Sequence, residues 1–229
     1  MRDVVIAGAA ALLMSVGTAQ AGLGDGGDTT LVLADSMADF GGNQGENGWF
    51  YGFYDGNVDA AFTPDDFELM NVYDDGNDRW WADDSSDGPI TLIDAVFMHP
   101  NSFLDDQRDS SEQWSVRRWV SGVSADVNIN VNLSRANPEF AGDGVVLRMF
   151  IDGVQTLAVE LFADNDAGLS FDLSTTVAEG SVIDFAVDPI ENALFDAVRF
   201  DTVITTIVPA PTALATLGFG MMCFGRRRR

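Results

Sequence analysis

The stretch 125-ADVNINVNL-133 alternates polar and apolar side chains without a break. Val127, Ile129, Val131 and Leu133 occupy every second position, and an aspartate and three asparagines fill the positions between them. Successive side chains of a strand point to opposite faces of its sheet, so this period of two predicts a strand with one buried face and one solvated face. Strands of this kind are typical of antiparallel sheets.

The clearest turn signal outside that stretch is Asp152-Gly153, which lies between the apolar segments Gly144–Ile151 and Val154–Leu161. An Asp-Gly pair favours a two-residue type I′ hairpin turn. Such a turn would place Phe150 opposite Gln155, and neither face of the hairpin is then cleanly apolar. We therefore expect a bulge in this hairpin, or coverage on both of its faces.

Several further short strands are predicted along the chain, and no stretch between residues 22 and 208 has the period of 3.6 that an amphipathic helix requires. Asp74–Gly88 is predicted as an acidic loop. Many short strands separated by turns predict an all-β fold, namely an antiparallel β-sandwich of jelly-roll type. The remaining predicted strands are Thr30–Ala34, Ile90–His99, Ser115–Ser121, Ser170–Val177, Ser181–Asp188 and Phe195–Ile207.

The N-terminus has the three parts of a signal peptide. Arg2 starts a short n-region, Val4–Val16 is an apolar run, and Ala19-Gln20-Ala21 fits the small-x-small pattern that precedes a cleavage site. The alternative is a permanent N-terminal transmembrane helix, but the apolar run is too short for one. We expect residues 1–21 to form a signal helix that is removed on export.

The C-terminus, residues 209–229, also has three parts. Pro209, Ala210 and Pro211 interrupt the preceding segment, and 14 uncharged, mostly apolar residues follow at Thr212–Gly225. As a helix this segment would be ~21 Å long, shorter than the ~30 Å hydrocarbon core of a bilayer. The arginines behind it would stay in the cytoplasm. It is either a weak membrane anchor or a sorting signal that is removed after use. The chain ends in Arg226, Arg227, Arg228 and Arg229.

This order of Pro-x-Pro, short span and terminal arginine cluster resembles the PEP-CTERM sorting signal of Gram-negative bacteria. Ala210 stands where the usual motif has Glu, as in a Val-Pro-Ala-Pro variant of the same class. The resemblance implies recognition by a membrane protease-transpeptidase, an exosortase. It also implies a protein that is anchored transiently and then released to the cell surface or the extracellular matrix.

Charge and cysteine content limit what the domain between these two signals, residues 22–208, can bind. The whole chain has 36 acidic and 12 basic residues, a net charge of −24, and every basic residue is arginine. This strong negative charge disfavours nucleic acids and anionic membranes as partners. The single cysteine, Cys223, lies in the tail, so the domain has no disulfide and must depend on its core or on bound metal.

A second resemblance covers most of residues 39–205. The chain is similar to a jelly-roll module of exported bacterial proteins that is itself similar to carbohydrate-binding modules and often precedes PEP-CTERM tails. It implies the fold and the location, and it suggests a function only by analogy. The motifs that carry it are Asn43–Gly56, His99-Pro100, Val116–Trp119, Gly142–Val145, Ile151–Gly153 and Ile183–Pro189.

The sequence gives little support for nucleophilic catalysis or for zinc binding. His99 is the single histidine, the domain has no cysteine, and no Gly-x-Ser-x-Gly motif is present. We interpret His99 as a structural residue at the end of a strand, and we expect a protein that is not an enzyme. A glycoside hydrolase needs only two carboxylates, so that alternative stays open.

Calcium is the cofactor that the composition favours. Of the 36 acids, 29 are aspartates, which are common in calcium loops. The candidate ligands lie close together in the predicted acidic loop, although their spacing is not that of an EF-hand. The alternative is that they are solvated surface charges. The four candidates are Asp74, Asp75, Asp78 and Asp83.

Exposed aromatic residues would favour a glycan ligand, such as an extracellular polysaccharide, because sugar rings stack on Trp and Tyr. Trp80 and Trp81 lie between acidic runs, and Trp49 and Tyr54 lie in an aromatic cluster. Adjacent residues of an extended segment cannot both face the core, so at least one of Trp80 and Trp81 should be partly exposed. The alternatives are that these residues pack in the core and that the protein is a purely structural surface component without a ligand.

Arg117 and Arg118 are adjacent in a predicted strand and should therefore point to opposite faces of it. We interpret the pair as structural. An arginine that is partly buried should then meet a carboxylate, because a buried charge needs a partner.

Overall fold

The computed structural model describes residues 28–55, 62–102, 111–137, 142–162 and 164–209. They form two antiparallel sheets, one of eight strands and one of six, that pack face to face as a β-sandwich. The predicted fold class is therefore confirmed. The predicted signal peptide with Ala19 and Ala21 lies outside the described residues, as does the predicted sorting tail beyond Pro209.

Strands are numbered in chain order. The eight-stranded sheet has the order β12-β9-β14-β7-β6-β5-β4, and β1 pairs with β14 beside β7. Its strands are β1 Thr29–Asp35, β4 Val72–Asp74, β5 Arg79–Trp81, β6 Leu92–Asp94, β7 Phe97–His99, β9 Ala125–Arg135, β12 Leu169–Val177 and β14 Val198–Val208.

The six-stranded sheet has the order β11-β10-β13-β8-β2-β3. Among the described segments the helical structure is limited to two 3₁₀ turns, Glu46–Gly48 and Pro64–Asp66, and no helix there is long and apolar enough to cross a membrane. The strands of this sheet are β2 Trp49–Asp55, β3 Phe67–Leu69, β8 Gln113–Val120, β10 Gly144–Ile151, β11 Val154–Phe162 and β13 Val182–Pro189.

Strand β9 has the predicted two faces. Its four apolar side chains are buried in the core between the sheets, and its asparagines lie on the outer face of the eight-stranded sheet. There Asn130 Nδ2 donates to Asp172 Oδ1 at 3.0 Å, and Asn128 Nδ2 donates to Ser174 Oγ at 3.4 Å. The strand continues two residues beyond the predicted end, to Arg135.

The hairpin of β10 and β11 is also confirmed in its register. Ile151 lies opposite Val154 and Phe150 opposite Gln155, and a bulge beyond that pair sets Met149 opposite Leu157. Asp152 and Gly153 both have positive φ, 49° and 80°, as a type I′ turn requires. The expected bulge is therefore present.

Two predicted segments differ from the structure. The predicted strand Ile90–His99 is two strands, β6 and β7, because Asp94 ends the first: its Oδ1 accepts hydrogen bonds from Val96 N at 2.9 Å and Phe97 N at 2.8 Å. The predicted acidic loop Asp74–Gly88 contains β5, which pairs with both β4 and β6. Short strands of three residues carry too few alternating positions to be recognised in the sequence.

The core between the sheets contains the charged side chain of Arg117, which is fully buried. Its guanidinium donates to the backbone carbonyls of Ser36, at 2.8 Å, and of Asp94, and it lies over the rings of Phe40 and Phe200. Burial lowers the pKa of Arg117 to about 10. The expected carboxylate hydrogen-bond partner is thus replaced by carbonyl oxygens, which accept the same donors without introducing a second buried charge.

A second apolar cluster covers the outer face of the six-stranded sheet. Tyr54, Trp114 and Phe150 are buried there beneath Phe62 and Phe67, and the rings of Phe62 and Trp114 stack at 4.3 Å. This cluster explains why the β10–β11 hairpin has no cleanly apolar face, since both faces of β10 are covered.

Arg118 belongs to that outer cluster. Its guanidinium makes two hydrogen bonds with Asp184, at 2.7 and 2.8 Å, and lies 3.8 Å from the ring of Phe67. The hydroxyl of Tyr54 donates to the same carboxylate at 2.7 Å. The two adjacent arginines therefore face opposite sides of β8, as predicted, and Arg118 is the one that meets a carboxylate.

Candidate functional site

The candidate site is built around the adjacent tryptophans of β5. Trp80 points into the core, with 5% of its surface exposed. It stacks on Tyr51 at 6.0 Å, and its Nε1 donates to the carbonyl oxygen of Gly41 at 3.0 Å. Trp81 is half-buried, because alternation turns its ring to the outer face of the sheet. Of the two tryptophans, only Trp81 has a ring face accessible to a ligand.

Trp81 lies in an open cleft of about 430 Å³ at the β4 edge of the eight-stranded sheet. Cavities of roughly 300–1,000 Å³ are typical for small ligands. The cleft combines the aromatic rings of Trp81 and Tyr73 with carboxylates and hydroxyls, which is the chemistry that binds sugar rings and their hydroxyl groups. Its lining residues are Val72, Tyr73, Asp74, Trp81, Asp83, Asp84, Ser85 and Ser86.

Asp74 sits where β4 turns into β5 and closes that turn with its side chain. Its Oδ1 accepts hydrogen bonds from Gly76 N at 2.9 Å and Asn77 N at 3.3 Å, and its Oδ2 accepts from Asn77 Nδ2 at 2.6 Å. The hydrogen bond from the Asn77 side chain, followed by those from the backbone, lowers the pKa of Asp74. The carboxylate is therefore ionised at neutral pH and held in one orientation.

Asp83 plays the same part in the turn after β5. Its Oδ1 accepts from Ser85 N at 2.8 Å, and this backbone hydrogen bond lowers the pKa of Asp83. Gly88 closes the turn tightly, since a Cβ at that position would lie 2.7 Å from Asp83 Cγ. The wall of the cleft is therefore a fixed acidic turn.

Arg79 is the cation nearest to the ring of Trp81. Its guanidinium lies 5.7 Å from the ring centroid, and its Nη2 lies 3.9 Å from Asp94 Oδ2. Arg79 and Trp81 share the outer face of β5 because they are two residues apart. This contact holds the ring against the sheet and places a positive charge beside an otherwise acidic cleft.

The other aromatic candidates lie elsewhere. Trp49 and Tyr54 are fully buried: Trp49 packs against Phe185 in the main core, and Tyr54 lies in the outer cluster. Together with Trp80, they offer no ring face to a ligand, which corrects their assignment as ligand contacts. Strand β2 is covered on both faces, so its aromatic residues pack in two different apolar clusters.

The calcium candidates are dispersed in the structure. Asp74 and Asp83 cap separate turns, and Asp78 Oδ1 accepts a hydrogen bond from the hydroxyl of Tyr73. In the described part of the chain, no three acidic, histidine or cysteine side chains are close enough together to hold a metal ion. Calcium binding, with Asp75 as the fourth candidate, stays a prediction.

Two features of the eight-stranded sheet were not recognised as candidate sites in the sequence. Depressions of about 480 and 730 Å³ lie on its outer face, where side chains of β9, β12 and β14 meet. Their polar surface comes from the amide and hydroxyl groups beside Asn128 and Asn132. The alternating asparagines of β9 were the available signal, although alternation alone does not distinguish a solvated face from a binding face.

Carboxyl groups with a raised pKa are found away from the cleft. Burial raises the pKa of Asp188 to about 6, against the opposing effect of its ion pair with Arg148 at 2.7 Å. Burial and the neighbouring Asp143 raise the pKa of Asp196 to about 8. His99 ends β7, as expected of a structural residue, and its Nδ1 lies 2.5 Å from the carbonyl oxygen of Pro100.

Comparison with known proteins shows the following. No protein-family model matches this chain, and no curated protein has a matching sequence. Similar solved structures include the CBM51-2 and INT domains of Clostridium perfringens ZmpB, in complex with GlcNAc, at 16% identity and a TM-score of 0.33. That match covers 48% of this chain and 25% of the other, so this chain spans about a quarter of the length of that structure.

In two further matches, most of the other protein's chain is covered. A family 35 carbohydrate-binding module from Clostridium thermocellum is 8% identical, with a TM-score of 0.29, and the match covers 42% of this chain and 78% of the module. The K3 cleaved adhesin domain of Lys-gingipain from Porphyromonas gingivalis is 10% identical, with a TM-score of 0.35, over 77% of this chain and 99% of that domain. At TM-scores this low, these likenesses carry no argument about the function of this chain.

Proposed function

We propose that the sandwich is a glycan-binding module and that its ligand lies against Trp81. The observation that carries the proposal is the position of this ring, half-exposed in a cleft that is also lined by carboxylates, serine hydroxyls, Val72 and Tyr73. Trp80, one residue away, is buried, so the cleft has an aromatic face of its own and is not an opening into the core.

The chemistry of the cleft defines the kind of sugar. Asp74, Asp83 and Asp84 line the cleft and would accept hydrogen bonds from sugar hydroxyls, and the ring of Trp81 gives an apolar surface for the C–H groups of a pyranose. Because the cleft and the whole chain are strongly negative, uronic acids and sulfated sugars would be repelled. The ligand is therefore a neutral or positively charged polysaccharide.

The module binds without catalysing hydrolysis. A glycosidase needs one carboxyl group that stays protonated near neutral pH, and a raised pKa provides it. In the cleft, hydrogen bonds lower the pKa of both Asp74 and Asp83. Turn geometry and hydrogen bonding therefore suit these carboxylates to binding and not to proton donation.

The test is a glycan array followed by calorimetric titration of the purified protein and its Trp81→Ala variant. Loss of a stacking tryptophan from a binding centre costs about 2 kcal/mol or more, roughly thirtyfold in affinity. We expect that loss with little change in melting temperature. Phe162→Ala is a matched control, since it removes an exposed ring from β11 of the other sheet. Unchanged affinity of Trp81→Ala for a demonstrated glycan would place the site elsewhere.

A second candidate function is assembly into a surface or matrix layer. The observation that favours it is a band of exposed apolar side chains where β1 pairs with the end of β14, namely Leu31, Val32, Ile207 and Val208. In this case the protein would self-associate at micromolar concentration in sedimentation experiments. The double variant Leu31→Lys with Ile207→Lys would abolish this association and leave any glycan binding unchanged.

Export and sorting complete the proposal and rest on the sequence alone. Residues 1–21 would be removed on export, and an exosortase-like enzyme would recognise Pro209-Ala210-Pro211 and release the protein to the surface or the extracellular space. Mass spectrometry of the native protein tests both steps. We expect an N-terminus at Gly22 and loss of Arg226–Arg229, and an intact C-terminus in the inner membrane would show a plain anchor instead.

A further inference from the structure

Two carboxyl groups, Asp196 buried and Asp143 half-buried, lie together at one end of the sandwich, outside the cleft. Asp143 precedes β10, and Asp196 lies in the connection between β13 and β14, with 2% of its surface exposed. The contact is long-range, since 53 positions separate the two residues in the sequence. It is also independent of Trp81 and of the proposed glycan site.

Each carboxyl group has one oxygen with a backbone donor. Gly144 N donates to Asp196 Oδ1 at 3.3 Å, and Asn192 N donates to Asp143 Oδ2 at 3.2 Å. The two remaining oxygens, Asp143 Oδ1 and Asp196 Oδ2, are buried with no hydrogen-bond donor among the described residues. Each carboxyl group therefore has one buried oxygen without a hydrogen-bond donor among the described residues.

A single proton would satisfy both acceptors. The two unpaired oxygens are shielded from water, so both carboxylates cannot be ionised in contact without a large electrostatic cost, and one shared proton removes that cost. A proton held on Asp196 and donated to Asp143 gives each orphaned oxygen a partner. The raised pKa of Asp196, to which burial contributes most and Asp143 next, has the same cause.

Few other charged side chains of the described residues lie near Asp143 and Asp196. From β9, Arg135 lies beside the pair and favours the ionised form of Asp196, which opposes the larger effect of burial. The side chains that line the same small cavity from the other elements are apolar. They are Val145 of β10, Leu161 of β11 and Val198 of β14.

We propose that Asp143 and Asp196 share one proton, and that this proton fastens the β13–β14 connection to the beginning of β10. The backbone is already in close contact there: a Cβ on Gly142 would lie 2.4 Å from Asp196 Oδ1 and 3.0 Å from the carbonyl oxygen of Leu194. Loss of the proton puts two like charges in this contact and pushes the connection away.

The connection that would be released carries exposed apolar side chains, namely Ile190, Leu194 and Phe195. Asp196 follows Phe195 directly in the chain, so holding Asp196 in place restrains this end of the connection. The contact between the two carboxyl groups therefore depends on pH. The connection is held in neutral and acidic surroundings and becomes mobile in alkaline surroundings, where its apolar side chains are freed for other contacts.

The sign of the pH effect follows from the raised pKa. The folded state holds the proton up to about pH 8, whereas the unfolded chain releases it near the ordinary aspartate pKa of 3.8. Stability from this pair is complete below the unfolded pKa and is lost as the pH rises through the folded pKa. For one proton the folding constant changes about tenfold per pH unit in the window between the two pKa values.

The test compares urea unfolding at pH 6 and pH 8 in the wild-type protein and in Asp196→Asn. We expect the folding constant of the wild type to fall up to roughly fiftyfold between these values. Asp196→Asn should lose this dependence, because its amide donates a hydrogen bond without titrating. Asp188→Asn is the matched control: the pKa of Asp188 is about 6, so removing it should leave the change above pH 6 intact. His99→Gln removes the one histidine as a source of the effect.

A second measurement does not depend on any variant folding. Carbon NMR of the aspartate side-chain carboxyl groups in the wild type should show one group titrating near pH 8. The proposal fails if no carboxyl group titrates above pH 7, or if Asp196→Asn keeps the wild-type pH dependence. It also fails if a chelator removes the stability at pH 6, since a cation and not a proton would then lie between the carboxylates.

Discussion

The aspartates of the cleft and those of the interior carry the same carboxyl group, but their pKa values are shifted in opposite directions. Asp74 and Asp83 lie in exposed turns, where backbone and side-chain N–H groups donate to them and lower their pKa values. Asp188 and Asp196 are buried, and burial raises their pKa values to about 6 and about 8. The difference depends on whether donors or desolvation dominate at each carboxyl group.

This contrast separates two roles in a chain with 29 aspartates. Turn aspartates fix the shape of the cleft beside Trp81 and keep it negative, and their loss should change the cleft more than the stability. Interior aspartates hold strands and connections together, so their loss should change stability first. Each prediction below tests one side of this comparison, beginning with the largest expected effect.

The largest effect is expected from Asp184→Ala. Asp184 receives hydrogen bonds from Arg118 and from Tyr54, and removing it leaves a partly buried guanidinium and a buried hydroxyl without their acceptor. Breaking such a buried pair costs about 3–5 kcal/mol of unfolding free energy. Urea unfolding measures the loss. The double variant Asp184→Ala with Arg118→Met should recover part of it, and no recovery would show that the charge of Arg118 is not the cause.

Asp188 should make the protein less stable as the pH rises from 4 to 6. Its folded pKa is raised from 3.8 to about 6, so its contribution is complete below about pH 4 and is lost through pH 6. Two pKa units correspond to at most about 3 kcal/mol. Thermal unfolding of Asp188→Asn should have a shallower pH dependence in this window. Equal slopes in the two proteins would show that the ion pair with Arg148 outweighs burial.

A smaller effect is expected from Asp74→Ala in the exposed turn. The variant loses three hydrogen bonds that water can replace, so the melting temperature should fall by less than about 2 °C. Glycan affinity should fall more clearly, because the turn that forms one wall of the cleft loses its fixed geometry. Asp74→Asn, which keeps one oxygen acceptor, is the control. A large drop in melting temperature would place Asp74 among the structural aspartates.

Calcium should have the smallest effect. The described acids are not gathered around a common point, so we expect only weak binding to the native state. At a calcium concentration equal to its dissociation constant, the gain is ~0.4 kcal/mol, or roughly 1–2 °C in melting temperature. Melting curves with calcium and with chelator, at fixed ionic strength, measure it. A rise of many degrees would show a well-formed calcium site.

Much of the local structure was predictable from the sequence, because strand alternation and turn conformation depend on neighbouring residues only. The alternating stretch became β9, and Asp152-Gly153 formed the hairpin turn with its adjacent bulge. Alternation also required Trp80 and Trp81 to face opposite ways. It could not say which of them faced the core, because that depends on which side of the sheet meets Tyr51.

Contacts between distant segments were decided by the tertiary structure alone. The coverage of β2 on both faces buries Trp49 and Tyr54, and the sheet pairing surrounds Arg117 with carbonyl oxygens in place of a carboxylate. The meeting of Asp143 with Asp196 is of the same kind, since neither residue has a local pattern that sets it apart from 27 other aspartates. Burial and a neighbouring charge determine the pKa of a carboxyl group, and both are set by residues far away in the sequence.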